Sequence, residues 1–311
     1  RAWPNGRALV LTGQEAFRPA TPPSRAMTTT TTTSHAPSLG RQMLNKVPEI
    51  TLYFWIIKVL CTTVGETGAD NLATHFNLSL TDLTYMVGGV LLLVLTIQFR
   101  LKRYVPFVYW LGIVLISVVG TLITDNMTDN FGIALTTSTA IFTVILAATF
   151  AVWYRSERTL SIHTIVTSRR EAFYWLAVLF TFALGTAAGD LVAEKLALGY
   201  LNTLFLFAGS IAVIAIAHWK FRMGAILSFW LAYILTRPLG ASIGDYMSQA
   251  KADGGLGLGT TTTSLIYLGL ILALVVFLSV TKADQTPRDV LEAEEEKERR
   301  EGHGVPEGMP A

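Results

Sequence analysis

Cysteine, charge and the motifs of soluble enzymes are all scarce in this 311-residue chain. The single cysteine, Cys61, excludes a disulfide framework and any cysteine-built metal cage. Charged residues make up 15% of the chain, against about 25% in soluble domains. That is too little charge to cover a globule of this size. Lys and Arg number 24 and Asp and Glu 22, a formal net charge of +2, so no basic field is present to hold nucleic acid. No H-E-x-x-H, P-loop or dinucleotide fingerprint occurs. Gly240, Ser242 and Gly244 spell G-x-S-x-G, but inside an apolar run, whereas a nucleophile elbow needs a strand, a sharp turn and a helix. The expectation is a chain that is not an enzyme and carries no organic cofactor.

Apolar residues are abundant, at 51% with a mean hydropathy of +0.47. They gather into eight runs long enough for bilayer-crossing helices, over residues 50–73, 82–99, 105–128, 132–154, 172–194, 200–219, 224–248 and 260–281. Runs such as Gly88 to Leu95 do not alternate as barrel strands must. The sequence therefore predicts an all-α polytopic membrane protein of eight transmembrane helices. Residues 1–48 read as a disordered N-terminal segment, and Met27 is the expected native start, which would leave 1–26 non-native. No charged stretch followed by an apolar one precedes residue 49, so no cleaved signal peptide is expected there. The two helical halves are 49–155 and 172–282, joined by a basic connector over 156–171. Residues 283–311 form a charged, solvated tail.

The connectors set the orientation. Arg100, Lys102 and Arg103 follow the second run; Arg155, Arg158, Arg169 and Arg170 the fourth; Lys220 and Arg222 the sixth. The opposite connectors hold Lys195 and Lys251. The positive-inside rule then puts both termini in the cytoplasm, and the expected home is a bacterial inner membrane. Trp55, Trp110, Trp153, Trp175, Trp219 and Trp230 fall near the cytoplasmic ends, where an interfacial belt is expected.

Four segments align without gaps: Trp55 to Asp70, Trp110 to Asp125, Trp175 to Asp190 and Trp230 to Asp245. In each, Gly follows Trp by 10 residues and Asp follows it by 15. The Trp-to-Trp separations of 55, 65 and 55 divide the chain into two halves of two repeats. Each repeat holds two helices, so all four begin on one side of the membrane and are related by an axis along its normal. Fifteen helical residues rise about 22 Å, which brings the four aspartates to one depth. Each Asp is preceded by a small-xxx-small pair: Gly65 with Ala69, Gly120 with Thr124, Gly185 with Gly189, Gly240 with Gly244. Such pairs let helices approach closely, so the Trp-bearing helices are expected to pack on one another and bring their aspartates together. This pattern resembles a bacterial family of membrane proteins built from tandem two-helix repeats of unknown function, each with a characteristic Trp. The resemblance implies architecture and no particular activity.

The carboxylates carry the functional expectation. An Asp at mid-bilayer costs roughly 2.5–3.5 kcal/mol on insertion scales, and this chain repeats that cost four times. Glu66, Asp129 and Glu194 each stand four residues from a repeat aspartate, on the same helix face. Thr81, Asp82, Thr84, Thr136, Thr137, Thr139, Asn202, Thr203 and Thr260 to Thr263 open the helices that follow. Carboxylate and hydroxyl oxygens suit hard cations such as magnesium, calcium or manganese, and His75 could add a nitrogen ligand. Arg237 lies deep in its run, before Pro238, as a counter-charge or gate residue. Lys58 is expected to snorkel to the cytoplasmic face. The expectation is a transporter of an inorganic cation, exchanging it for protons, with Asp70, Asp125, Asp190 and Asp245 as the central metal site and Glu66, Asp129 and Glu194 in support. Its partners would be the lipid bilayer and the cation or proton; the oligomeric state is left open. The alternative is a non-transporting scaffold or sensor acting through the basic connector and the charged tail.

Overall fold

The computed structural model describes residues 45–76, 78–196 and 198–285. The polar N-terminal run and most of the charged tail lie outside the described residues. Eight long α-helices make up the described chain: α1 Leu52–Phe76, α2 Leu80–Arg100, α3 Pro106–Asp125, α4 Leu135–Glu157, α5 Ser168–Asp190, α6 Gly199–Phe221, α7 Ala225–Ser248 and α8 Thr260–Thr281. Short π turns, Asn126–Asn130 and Leu191–Lys195, extend α3 and α5 past their aspartates.

Local chemistry sets several ends. Ser79 caps α2 by accepting from the Asp82 N–H, and Pro106 opens α3, where its missing N–H is no loss. The helices α4, α6 and α8 each end on a basic residue in the left-handed conformation, Arg158, Arg222 and Lys282. A cation there faces the negative end of the helix dipole.

The odd-numbered helices close into a ring. α1 packs on α3, α3 on α5, α5 on α7 and α7 back on α1. At every joint the repeat glycine accepts the same position of the next repeat. Gly65 receives Ser117, Gly120 receives Phe182, Gly185 receives Arg237, and Gly240 receives Thr62. A Cβ at any of the four would overlap its neighbour. A second cyclic layer lies ten residues earlier. The aromatic residue before each Trp stacks on the next repeat's Trp: Phe54 on Trp110 at 5.7 Å, Tyr109 on Trp175 at 5.5 Å, Tyr174 on Trp230 at 6.3 Å and Phe229 on Trp55 at 5.7 Å between ring centroids. The expected interfacial belt is therefore corrected. Trp110, Trp153, Trp175 and Trp230 are core residues, because aromatic partners from neighbouring repeats enclose them, while Trp219 is exposed.

The even-numbered helices form an outer layer and pack on the following repeat: α2 on α3, α4 on α5, α6 on α7, and α8 on α1. Their outward faces carry exposed Leu92, Val144, Phe205 and Leu272. Of the apolar stretch in α3, 72% is buried; in α6 the figure is 11%. Seven helices, α2 to α8, are long and apolar enough to cross a membrane, which suggests a multi-pass membrane protein. The eighth span expected from the sequence, α1, falls short of that hydropathy, because Lys58, Glu66, Asp70 and four threonines interrupt it.

At the Trp end, the residues flanking the helices strap the bundle. Lys46 Nζ donates to Glu171 Oε2 at 2.7 Å and to the Phe99 carbonyl at 3.1 Å. The Glu49 N–H donates to the Asp284 carbonyl, and Tyr104 donates to Asp284 Oδ2 at 2.6 Å. The basic connector is folded rather than loose: Ile162 and Ile165 join the main core, and Trp230 Nε1 donates to the Leu160 carbonyl.

The glycine joints yield the first prediction. Gly240→Ala should lose about 1–3 kcal/mol of stability through overpacking against Thr62, while Gly89→Ala, which meets nothing within 4 Å, should be neutral or slightly stabilising. Thermal melting of detergent-solubilised protein checks both, and equal melting temperatures for the two variants would contradict the ring packing.

Candidate cation site

Each ring helix delivers its aspartate one and a half turns beyond its glycine joint. The same five-residue step in every ring helix brings the four aspartates to one cavity. A cavity of about 550 Å³ opens among them, lined by Asp70, Asp125, Asp190 and Asp245, with Glu66 and Asp129. All four aspartates are partly accessible, Glu66 is buried and Asp129 is exposed. Glu194 sits in the π turn after Asp190, and its side chain is outside the described residues. His75 is exposed, with Nδ1 3.2 Å from the Asn71 carbonyl oxygen, and does not line the cavity.

The outer helices contribute equivalently. Leu80, Leu135, Tyr200 and Thr260, each at the start of an even-numbered helix, complete the wall. Four helix N-termini, each carrying about half a positive charge, thus surround the carboxylates and offset part of their mutual repulsion. Most of the hydroxyls expected as ligands are engaged elsewhere. Thr81 and Thr84 bond Asn126, Thr261 accepts from Asn71, and Thr263 donates to the Gly259 carbonyl. Thr260, Thr74 and Thr128 line the cavity.

The lining among the described residues contains no lysine or arginine. Nor do any three His, Cys, Asp or Glu side chains among them converge closely enough to hold one metal ion. The oxygen-rich donor set suits a hard cation, yet it is spread around a space with room for on the order of 15–20 waters. The arrangement thus fits a hydrated cation bound through its shell better than a bare ion in a tight cage.

Arg237 forms the floor. It is fully buried and donates to Glu66 Oε2 at 2.6 Å, to Thr121 Oγ1, and to the Thr62 carbonyl at 3.4 Å. Three ring helices, α7, α1 and α3, meet in this one group. Arg237 thus forms an ion pair with the carboxylate of another ring helix. Lys58 departs from expectation. It is 1% exposed and does not snorkel, because α1 stands inside the ring and the side chain is enclosed by α5 and α7. Sequence reasoning also missed Tyr109, Tyr174 and Tyr233, all buried, with the Tyr109 and Tyr174 hydroxyls bonded to each other and Tyr233 against Lys58. For Tyr109 and Tyr174 the available signal was the aromatic residue that precedes every repeat Trp; Tyr233 stands at the position equivalent to Lys58.

Comparison with known proteins agrees with the repeat count. The profile described as Repeat of Unknown Function (DUF347) matches four times, at residues 53–104, 108–159, 173–223 and 228–284. The chain belongs to this family. No curated protein and no solved structure matches it.

The floor generates a double-mutant test. Arg237→Met strands Glu66 as a buried, unpaired carboxylate and should cost about 3–5 kcal/mol. Adding Glu66→Gln should recover most of that loss, as read from melting of the two single variants and the double. Additive losses would mean that the two side chains do not act as a pair.

Proposed function

We propose that this four-repeat protein is a membrane transporter for an inorganic cation, multivalent metals included, and exchanges it for protons through a ring of carboxylates. One observation carries the reading: four aspartates from four separate repeats, with Glu66 and Asp129, line a single cavity that holds no basic lining residue among the described residues. A structural role for acids at helix ends would leave them dispersed toward water. Here they line one shared cavity, which in this reading lies within the membrane, where charge is costly.

In this reading all eight helices cross the membrane, α1 included. Its charges face the ring interior and its outer side is covered by α8, so its low hydropathy does not oppose spanning. The carboxylates raise the local concentration of cations and select against anions. The Glu66–Arg237 pair closes the inner end of the cavity, so passage requires Glu66 to leave Arg237. The even helices end at or beside Arg100, Arg158, Arg222 and Lys282, all at the end opposite the aspartates. This supports cytoplasmic termini and a cavity opening outward in a bacterial inner membrane. No catalytic step and no organic cofactor is assigned to the protein.

Flux assays in proteoliposomes across magnesium, calcium and manganese test the proposal. Single Asp→Asn variants at positions 70, 125, 190 and 245 should each reduce flux of the transported ion about tenfold or more, while still inserting and melting normally. Wild-type flux and metal tolerance in all four variants would refute it.

A further inference from the structure

Beneath the carboxylate cavity the ring holds a buried amine that the cavity chemistry leaves unused. Lys58 Nζ lies 4.0 Å from the Phe182 ring centroid and 4.2 Å from that of Tyr233. It donates to Thr236 Oγ1 at 3.3 Å. Among the described residues, no carboxylate lies within ion-pair distance of it. The Thr236 hydroxyl is itself committed as donor to the Tyr233 carbonyl at 2.6 Å.

An ammonium has three protons to donate, and this site supplies one acceptor and two aromatic faces. Desolvated cation–π contacts offset only part of the cost of an unpaired buried ion. The charged form is therefore held at a net cost that the neutral amine escapes. The neighbouring groups do not remove that cost. Cys61 stands on the same helix, and α7 presents Tyr233 and Arg237. From α5 comes Phe182, with Tyr174 lower down against Tyr109 of α3. The remaining acid on α3, Asp125, is in the cavity, as is Asp190 on α5. The titratable side chain on α8, Tyr267, bonds Met247 Sδ. Among the described residues this layer thus contains two basic side chains, Lys58 and Arg237, and one acid, Glu66.

Resting on the cation-transport reading above, we infer that Lys58 is the proton-carrying site of the cycle: its ammonium form and a cation in the carboxylate cavity exclude one another. When the cation arrives, an N–H bond of Lys58 breaks, the electron pair stays on Nζ, and the proton passes to a water molecule. That water leaves on the side opposite the arriving cation. When the cation departs, Nζ takes a proton back. Arg237, paired with Glu66, remains the fixed charge of the layer. The outcome is antiport.

Full-length protein in proteoliposomes with trapped pyranine tests this, with manganese as the probe and magnesium and calcium in parallel. Wild type should move protons opposite to the cation. Lys58→Met and Lys58→Arg should bind the probe within about threefold of wild type yet lose about tenfold or more of the proton movement. Lys58→Met should also melt at or above wild type, since an uncompensated charge is gone; a merely structural lysine would melt lower. Coupled proton movement at wild-type rates in Lys58→Met overturns the inference and leaves the transport reading intact. So does a lower melting temperature in Lys58→Met combined with full coupling in Lys58→Arg. A wild type that neither binds nor moves any of the three cations overturns both.

Discussion

The structure depends on one steric constraint: four helices can close into a ring only where each offers its neighbour a position without a side chain. Gly65, Gly120, Gly185 and Gly240 supply those positions, and the side chain seated in each comes from the same place in the next repeat. Hydrophobic burial does not drive helix association in lipid, so close van der Waals packing has to. The glycine joints therefore fix the position of each helix against the next, which brings the aspartates around one cavity. The aromatic layer repeats the same cyclic relation one level down.

Ring closure creates the protein's electrostatic problem along with its site. Glu66, Arg237 and Lys58 are buried inside the ring, so they must be compensated there. Glu66 and Arg237 solve this mutually, and Thr121 and the Thr62 carbonyl accept from the same guanidinium, while its Nε–H stays without a partner among the described residues. Lys58 is only partly compensated. The repeats are thus equivalent in backbone and unequal in chemistry. The equivalent of Arg237 is Thr62, Ser117 or Phe182, and that of Glu66 is Thr121, Thr186 or Ala241. Symmetry builds the cavity, and its breaking at these two positions builds the floor.

The outer helices serve the ring by reaching across it. Each leaves its own repeat and covers the first helix of the next, with α8 returning to α1. No two-helix repeat could then fold alone with its apolar surface covered. The arrangement also places an even-helix N-terminus beside each acidic position, where the dipole lowers the cost of gathering carboxylates.

Much was legible in the sequence. The Trp, Gly and Asp spacing determined the repeat, the two-helix unit and the common depth of Asp70, Asp125, Asp190 and Asp245, because helical rise converts residue number directly into height. Composition determined the apolar helical class. Tertiary structure alone decided what depends on azimuth and on neighbours: that α8 closes on α1, that tryptophans expected at an interface are core, that the Glu66 carboxylate is taken by Arg237, and that Lys58 is walled in. Position along a helix is set by covalent geometry, but the direction a side chain faces is set by which helices surround it, and that is a property of the closed ring.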